Sequence, residues 1–526
     1  MTAMGRRTGP QRGWPLGQLG VGLLCALGPV AAGQDATPPA LVSTVPRAAD
    51  RFRAAAALQN RALYDLAAAE WAALADEFPD DPLAAEARYE RGVCLFQLER
   101  YADASSEFVW VLNSGPPLAP ALEEKCRAHL GLTHYNLADT ADATQRSRAL
   151  EAAAAALGTQ LAKFPDGPLA ARSSFFRCEA LYALGRRPEA IDAYRELLER
   201  FPQHPQRADA LYALGVAEQE AGRLADAVET LGRFAAEFPH HDLATDAQSR
   251  RADGLLALGQ TRLRDGDPRG AEEATSRFLS DYPAHGMARE ARLLRATARQ
   301  QHGDFAGGIA DAVALLVGHP PQPIASNALY IRGRCEVGLR QPADAAATFE
   351  RLAREDPHYR ALDRVLYDLA WAYHEAGHPD RATATFVRLA KACPQSPLTG
   401  ECLYRAGEAH YGARAFAVAA ERYREAVERA GDAAVAERAA HKLAWCHFEL
   451  RQFAAAEQAF AAQCESHADG PLASDGRLML AECRFRQGKF RDACDAYAAA
   501  FELLPANVAP RPSALVHAAQ SAAHVG

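Results

Sequence analysis

Residues 201–239 read FPQHPQRADALYALGVAEQEAGRLADAVETLGRFAAEFP, and the Phe201-Pro202 that opens this stretch returns at its end as Phe238-Pro239. The same pair stands at Phe78-Pro79 and Phe164-Pro165. With the proline as marker, the series runs Pro79, Pro116, Pro165, Pro202, Pro239, Pro283, Pro320, Pro357 and Pro394. Gly431 and Ala468 continue it and Pro505 closes it. Nine of the eleven intervals are 37 residues, and the other two are 49 and 44. A fixed period of this size is the signature of a repeat architecture in which each unit is one supersecondary element.

Other positions keep register with the marker. Twelve residues before it stands a small residue, as in Ala67, Ala190, Ala227, Gly308, Ala345 and Ala493. Eight before it the residue is usually large and apolar, as in Trp71, Phe108, Tyr194, Leu231, Phe349 and Tyr497, with Thr275 and Ala312 as exceptions. Spacings of four and three mark one face of a helix. Twenty-four before the marker comes another small residue, such as Gly92, Gly215, Gly333, Ala370 or Gly407. This one belongs to an earlier helix, because a turn lies between, as in Ala221-Gly222-Arg223 and Glu375-Ala376-Gly377. The pattern is a helical hairpin. Small residues let the two backbones approach, large ones fill the space toward the next hairpin, and the proline ends the second helix.

This order of Gly, aromatic, Ala, aromatic and Pro resembles the tetratricopeptide repeat, and it covers residues 50–505 as about twelve antiparallel hairpins. The resemblance implies an all-α, right-handed superhelical solenoid that binds other proteins or peptides on a concave face and has no chemistry of its own. The family's usual period is 34 residues. Here three further residues follow the proline, as in Pro202-Gln203-His204-Pro205-Gln206-Arg207-Ala208. The longer variant is similar to the repeats of bacterial envelope proteins of the BamD and Tol-Pal coordinator type. In the 44-residue interval seven extra residues precede Gly259. Seven residues are about two helical turns, so the first helix can lengthen and keep its buried face. In the 49-residue interval most of the excess falls at Ala138 to Thr144, which reads as a longer loop or a helix extension.

The N-terminus differs from the array. Arg6, Arg7 and Arg12 precede any acidic residue, an apolar stretch runs from Leu16 to Leu27, and Pro29-Val30-Ala31-Ala32-Gly33 supplies small residues. That is the outline of a secretory signal, too short to span a bilayer. Residues 1–32 are therefore expected to be a signal peptide, 33–49 a linker, and 506–526 a partial repeat or capping helix. Thr8-Gly9-Pro10 lacks the hydrophobic residues of a twin-arginine signal, and Gly22-Leu23-Leu24 lacks the small residue that precedes a lipidated cysteine, here Cys25. An ordinary export signal fits best, which places the protein in the periplasm or outer cell envelope of a bacterium. Loss of the three arginines takes the formal charge from −8 to −11. That balance lacks the basic stripe nucleic acid demands, and charged residues at 24% fit a soluble chain.

Export permits disulfides. Yet Cys94, Cys335, Cys446 and Cys483 share one repeat position, where other units carry small residues, so they read as core. Equivalent positions in neighbouring repeats lie too far apart to bridge. His374-Glu375-Ala376-Gly377-His378 matches the zinc-peptidase pattern, whose chemistry needs both histidines one turn apart on a continuous helix. Gly377 falls in the inter-helix turn and Pro379 follows, so the helix breaks inside the motif. No phosphate-binding loop, nucleophile elbow or cofactor motif occurs, and the expectation is a non-enzyme without metal or cofactor.

The resemblance implies that the first helix of each hairpin lines the concave surface, with its exposed face 27, 23 and 20 residues before the marker. In the C-terminal half these offsets give Tyr330, Arg334, Tyr367, Trp371, His374, Tyr404, Glu408, Tyr411, His441, Trp445, Phe448 and Phe485, the candidate partner-binding stripe. Tyrosine at the outer offsets also packs between repeats, but Trp371 and Trp445 stand where Val216, Gln260 and Thr297 stand elsewhere. Trp and Tyr beside Arg and His are typical of interface hot spots. A carbohydrate- or small-ligand-binding solenoid is the alternative, since aromatic stripes stack on sugars, and a metallopeptidase at His374 is the third reading.

Cleavage after Ala32 is expected in the native host. Intact-mass measurement checks it: a mature chain that retains residues 1–32 would refute export.

Overall fold

The computed structural model describes residues 45–113, 117–318, 320–503 and 511–526. The signal and most of the linker lie outside these residues, as do the markers Pro116 and Pro505. Among the described residues there are twenty-five α-helices and no strand. In order they are α1 (Pro46–Asn60), α2 (Tyr64–Glu77), α3 (Ala84–Gln97), α4 (Tyr101–Asn113), α5 (Pro120–Thr140), α6 (Ala143–Lys163), α7 (Ala170–Ala183), α8 (Arg187–Arg200), α9 (Arg207–Glu220), α10 (Leu224–Glu237) and α11 (Ala244–Arg264). There follow α12 (Pro268–Asp281), α13 (Ala288–His302), α14 (Phe305–Leu316), α15 (Gln322–Gly338), α16 (Pro342–Glu355), α17 (Leu362–Glu375), α18 (Pro379–Ala392) and α19 (Thr399–Gly412). The last are α20 (Phe416–Arg429), α21 (Ala433–Glu449), α22 (Phe453–Ser466), α23 (Ala473–Arg486), α24 (Phe490–Glu502) and α25 (Pro512–Val525). Odd-numbered helices are the first of each hairpin, and α25 opens a further one. The helices group into two compact units, residues 1–257 and 258–526.

Consecutive helices pack on one another from α1 to α10 in one unit and from α12 to α25 in the other. Successive first helices also touch, α3 with α5 and α5 with α7 in one unit, α13 with α15, α19 with α21 and α23 with α25 in the other. Second helices make no comparable contact. The first-helix side is thus the tighter, inner side of the stack in both units.

The hairpins close because a small residue faces a large one. A Cβ on Gly333 would lie 2.5 Å from the Phe349 ring, on Gly407 2.6 Å from Tyr423, and on Gly92 2.7 Å from Phe108. In each pair the two residues are sixteen positions apart, at the offsets of 24 and 8. Between hairpins, a Cβ on Gly308 would lie 2.7 Å from Cys335 Sγ. That contact explains why the cysteines recur at one point of the repeat. All ten described cysteines are free thiols. Burial pushes those of Cys94, Cys335, Cys446 and Cys483 up to about 12.

Turns are equally regular. The residue seventeen before the marker has positive φ in every hairpin except α5–α6, from Ala62 and Glu99 through Gly185, Gly222 and Gly377 to Arg451 and Gly488. At Gly185 the amide bonds to the Tyr182 carbonyl and the next amide, of Arg186, to that of Leu181, the pattern of a helix C-cap in which glycine is favoured. Second helices other than α4, α14 and α24 end immediately before the residue that precedes the marker, as at Glu77, Arg200 and Ala392. The cap that follows has the same backbone before Pro79 (Phe78, φ −129, ψ 62) and before Ala468 (His467, φ −133, ψ 52).

The irregular intervals both lengthen helices. α11 has 21 residues where α9, the first helix before it, has 14, as expected for two inserted turns. In the 49-residue interval α5 and α6 each have 21 residues, so the extra sequence extends both helices. Only Ala141 and Asp142 separate them, and Asp142 caps α6 by accepting from the amides of Thr144 and Gln145.

Gly333→Ala should cost about 1–3 kcal/mol, because the fully buried Phe349 cannot move aside. Each repeat contacts only its neighbours, so hydrogen exchange should loosen α13 to α18 and leave distant hairpins protected. Loosening throughout the chain would contradict a quasi-linear stack.

Candidate functional site

The stripe residues come from five first helices. α15 carries Tyr330 and Arg334, α17 carries Tyr367, Trp371 and His374, α19 carries Tyr404, Glu408 and Tyr411, α21 carries His441, Trp445 and Phe448, and α23 carries Phe485. They share the inner side of the second unit but not the same depth. Arg334 and His374 are exposed; Tyr330, Tyr367, Trp371, Glu408, Tyr411, Trp445, Phe448 and Phe485 are half-buried; Tyr404 and His441 are buried.

Residues at the offsets of 23 and 8, fifteen apart in one hairpin, form matched pairs. Trp371 meets Phe386 edge-on with ring centroids 5.9 Å apart, and Trp445 meets Phe460 in the same way at 6.2 Å. Where the first position is Glu, the second is Tyr. The Tyr194 hydroxyl donates to Glu179, Tyr423 to Glu408, and Tyr497 to Glu482. Glu408 is therefore bound within its own hairpin, with the Lys442 ammonium 3.3 Å away as a second partner.

A second regularity joins one hairpin to the next. The Arg405 guanidinium lies over Trp371 at 5.3 Å, Arg438 over Tyr404 at 5.1 Å, Lys442 over Tyr411 at 4.6 Å and Arg511 over Trp445 at 6.0 Å. Each cation comes from a later first helix, or from the residue that starts one. Such contacts contribute about 0.5–1 kcal/mol apiece at exposed sites. At the end of the stripe Phe485 stacks on His517 of α25, centroids 4.3 Å apart. Sequence reasoning found the rings and missed their covers. The signal was available in Arg405 and Lys442, both 26 residues before their markers.

The buried end of α21 is polar. His441 Nε2 lies 2.9 Å from Trp445 Nε1 and 3.1 Å from Asp475 Oδ2. Burial would raise the Asp475 carboxyl, but the His441 hydrogen bond and the Arg511 charge outweigh it and hold it below the usual range. The zinc-peptidase pattern does not form a site. His374 lies in the last turn of α17, Gly377 turns the chain at φ +80, and His378 is the N-cap residue of α18. Among the described residues no group of three His, Cys, Asp or Glu side chains is placed to hold a metal, and no helix is long and apolar enough to cross a membrane.

Residues 45–108, 138–205, 179–242, 293–360, 336–397 and 441–508 match the tetratricopeptide repeat, together more than half of the chain. The chain belongs to the tetratricopeptide-repeat family. No curated protein matches it. Among solved structures, MamA is 19% identical over 33% of this chain and 94% of its own, with a TM-score of 0.29. Yeast Tom70 is 15% identical over 86% of this chain and 97% of its own, at 0.26. Pseudomonas aeruginosa pilF is 14% identical over 43% and 95%, at 0.31. In this tetratricopeptide-repeat protein the 37-residue period and the paired offsets are the local form of the family's packing.

One of the Glu–Tyr pairs titrates near neutrality. Burial pushes the Glu179 carboxyl up from its ordinary 4.5 to about 7, against the Tyr194 hydrogen bond, which pulls it down. The native state then binds the proton more tightly than the unfolded chain. Its contribution is complete below 4.5 and is lost as pH rises through about 7. Glu179→Gln should remove this loss, so its melting advantage over the parent should grow between those values. An advantage independent of pH would show that Glu179 is ordinary.

Proposed function

We propose that this tetratricopeptide-repeat protein is an exported cell-envelope scaffold that grips a peptide or protein segment against the inner face of its second unit. Tetratricopeptide repeats form protein–protein interaction scaffolds and are typically non-enzymatic. The observation that carries the finer reading is the pair of half-buried tryptophans, Trp371 and Trp445, on the inner side of the stack. The basic, apolar, small-residue order of the N-terminus supports export. The partner is an envelope protein or an extended segment of one.

A large ring that stays partly in water gives up about 25 cal/mol per Å² left exposed. Packing alone would be served by the edge-on contacts with Phe386 and Phe460, which need only one side of each indole. Trp371 also meets Tyr367 and His374, Trp445 also meets His441 and Phe448, and the arginine over each indole is a cover that a partner can displace or share. Arg beside Trp on a groove floor is the composition of a hot spot.

Capture from envelope extract, followed by affinity measurement with Trp371→Ala and Trp445→Ala, tests the reading. Each variant should weaken the captured partner by about thirtyfold, the equivalent of ~2 kcal/mol, with a modest fall in melting temperature. Trp371→Phe, which keeps the edge-on packing, should retain stability and lose most of the binding. Unchanged affinity in the double variant, or variants that melt early while the folded fraction binds normally, would sink the assignment.

A further inference from the structure

Trp371, Tyr404, Tyr411 and Trp445 of the stripe each carry a cation over the ring. Among the described residues no cation lies over Tyr330 or Tyr359, although both border a cavity of 430 Å³ formed by α13, α15 and the segment that starts α17. This volume is that of a small-molecule site. Three guanidinium groups line it, those of Arg334, Arg360 and Arg364. Arg334 has Asp368 3.4 Å away, while Arg360 and Arg364, both exposed, have no carboxylate at ion-pair distance among the described residues. No acidic side chain lines the cavity. An anion-shaped excess of positive charge is thus concentrated in a chain whose net charge is −8.

The neutral lining narrows the ligand. Thr297, Gln300 and Gln301 of α13 and Asn327 of α15 line the cavity with the arginines. Tyr359 donates to Asn327 Oδ1 at 2.8 Å, which fixes the amide and leaves its NH₂ to donate elsewhere. Amides and a hydroxyl both donate and accept, as vicinal hydroxyl groups do. The half-buried Tyr330 and Tyr359 rings, centroids 6.1 Å apart, add aromatic surface. The faces of such rings carry partial negative charge and attract the weakly positive C–H face of a pyranose. An acidic peptide would engage the arginines but leave the neutral groups to water or without partners, at a cost in affinity.

We propose that this cavity binds an anionic sugar, a uronate or a sugar phosphate. Arg360 and Arg364 grip the charged group as a guanidinium fork does, Arg334 assists from α15, the amides take the hydroxyls, and the tyrosines hold the ring. The site shares Tyr330 and Arg334 with the stripe but needs no protein partner.

Calorimetric titration of the intact chain tests it, with trigalacturonate, glucose 6-phosphate, maltotriose, inorganic phosphate and hexaglutamate as probes. The expected result is saturable binding of trigalacturonate or glucose 6-phosphate, whichever carries the fitting anion, with maltotriose failing to bind. Arg360→Ala combined with Arg364→Ala should weaken that binding by about tenfold or more, the loss typical of charge-assisted hydrogen bonds. Tyr359→Ala should also weaken it. If the alanine pair melts early, Arg360→Gln with Arg364→Gln keeps the side-chain stems and gives the same answer. No saturable binding of either anionic sugar at millimolar concentration would overturn the proposal. So would equal binding of hexaglutamate or inorganic phosphate, or an arginine pair variant that binds as the parent does. Because no partner enters the titration, its outcome is independent of whether the stripe captures a protein.

Discussion

The close approach of two helices, made where a small residue on the first faces a ring on the second, is the constraint from which the rest of the structure follows. Gly92 under Phe108, Gly333 under Phe349 and Gly407 under Tyr423 leave no room for a methyl group. Packing at that density makes the register of each hairpin unique, because a shift by one residue would drive a Cβ into an aromatic ring. With the register fixed, every other offset acquires a fixed place. The position twelve before the marker meets the next hairpin, the position twenty-three before it faces the residue fifteen later, and the position seventeen before it must take a left-handed turn.

That last requirement shows which element commands which. Glycine fills the turn at Gly185, Gly222, Gly266, Gly303, Gly377 and Gly488, where it costs nothing sterically. At Ala62, Glu99, Arg340, Arg414 and Arg451 an L side chain accepts the same positive φ. A left-handed non-glycine residue costs roughly 1–2 kcal/mol. The stack imposes the turn on whatever residue stands there. The same holds at the other end of the hairpin, where the cap before Ala468 matches the cap before Pro79 although the proline is gone. The marker therefore reports the repeat more than it causes it.

This explains what could be read from the chain and what could not. The period, the two-helix unit, the break inside the His374 motif and the core role of the cysteines depend on contacts within one repeat or on its repetition, so one sequence displays them. The lengthening of α11 was legible for the same reason, since only whole turns preserve the buried face. The 49-residue interval was ambiguous because its added residues can extend a helix or a loop, and only the packing of α5 on α6 decides it. Depth along the stripe was not legible at all. Offsets give the face on which Tyr404 and His441 sit, but their burial depends on what the next repeat lays over them, Arg438 in one case and Asp475 in the other. The cavity was harder still, because its lining comes from three repeats and includes Tyr359 and Arg360, which occupy the variable residues just after the marker.

The cation covers connect these two findings. At Trp371, Tyr404, Tyr411 and Trp445 a later repeat lays a cation over the ring, so this part of the inner face is electrostatically satisfied and a ligand must compete with a contact already made. A cover worth about 0.5–1 kcal/mol is easily displaced. It raises the threshold for nonspecific apolar contacts while leaving a well-fitted partner able to bind. At the α15 position this arrangement lapses, since α17 presents Asp368 where α19 presents Arg405 and α21 presents Lys442. Asp368 pairs with Arg334, and among the described residues no cation lies over the Tyr330 ring. The displaced positive charge sits instead one turn earlier and in the preceding loop, at Arg364 and Arg360; Asp368 feels the Arg364 charge, but among the described residues no carboxylate comes within ion-pair distance of either. One change of sign at a repeated offset thus converts a self-satisfied stripe into an open, positively charged cleft with aromatic walls, and the stack needs no other alteration to hold it.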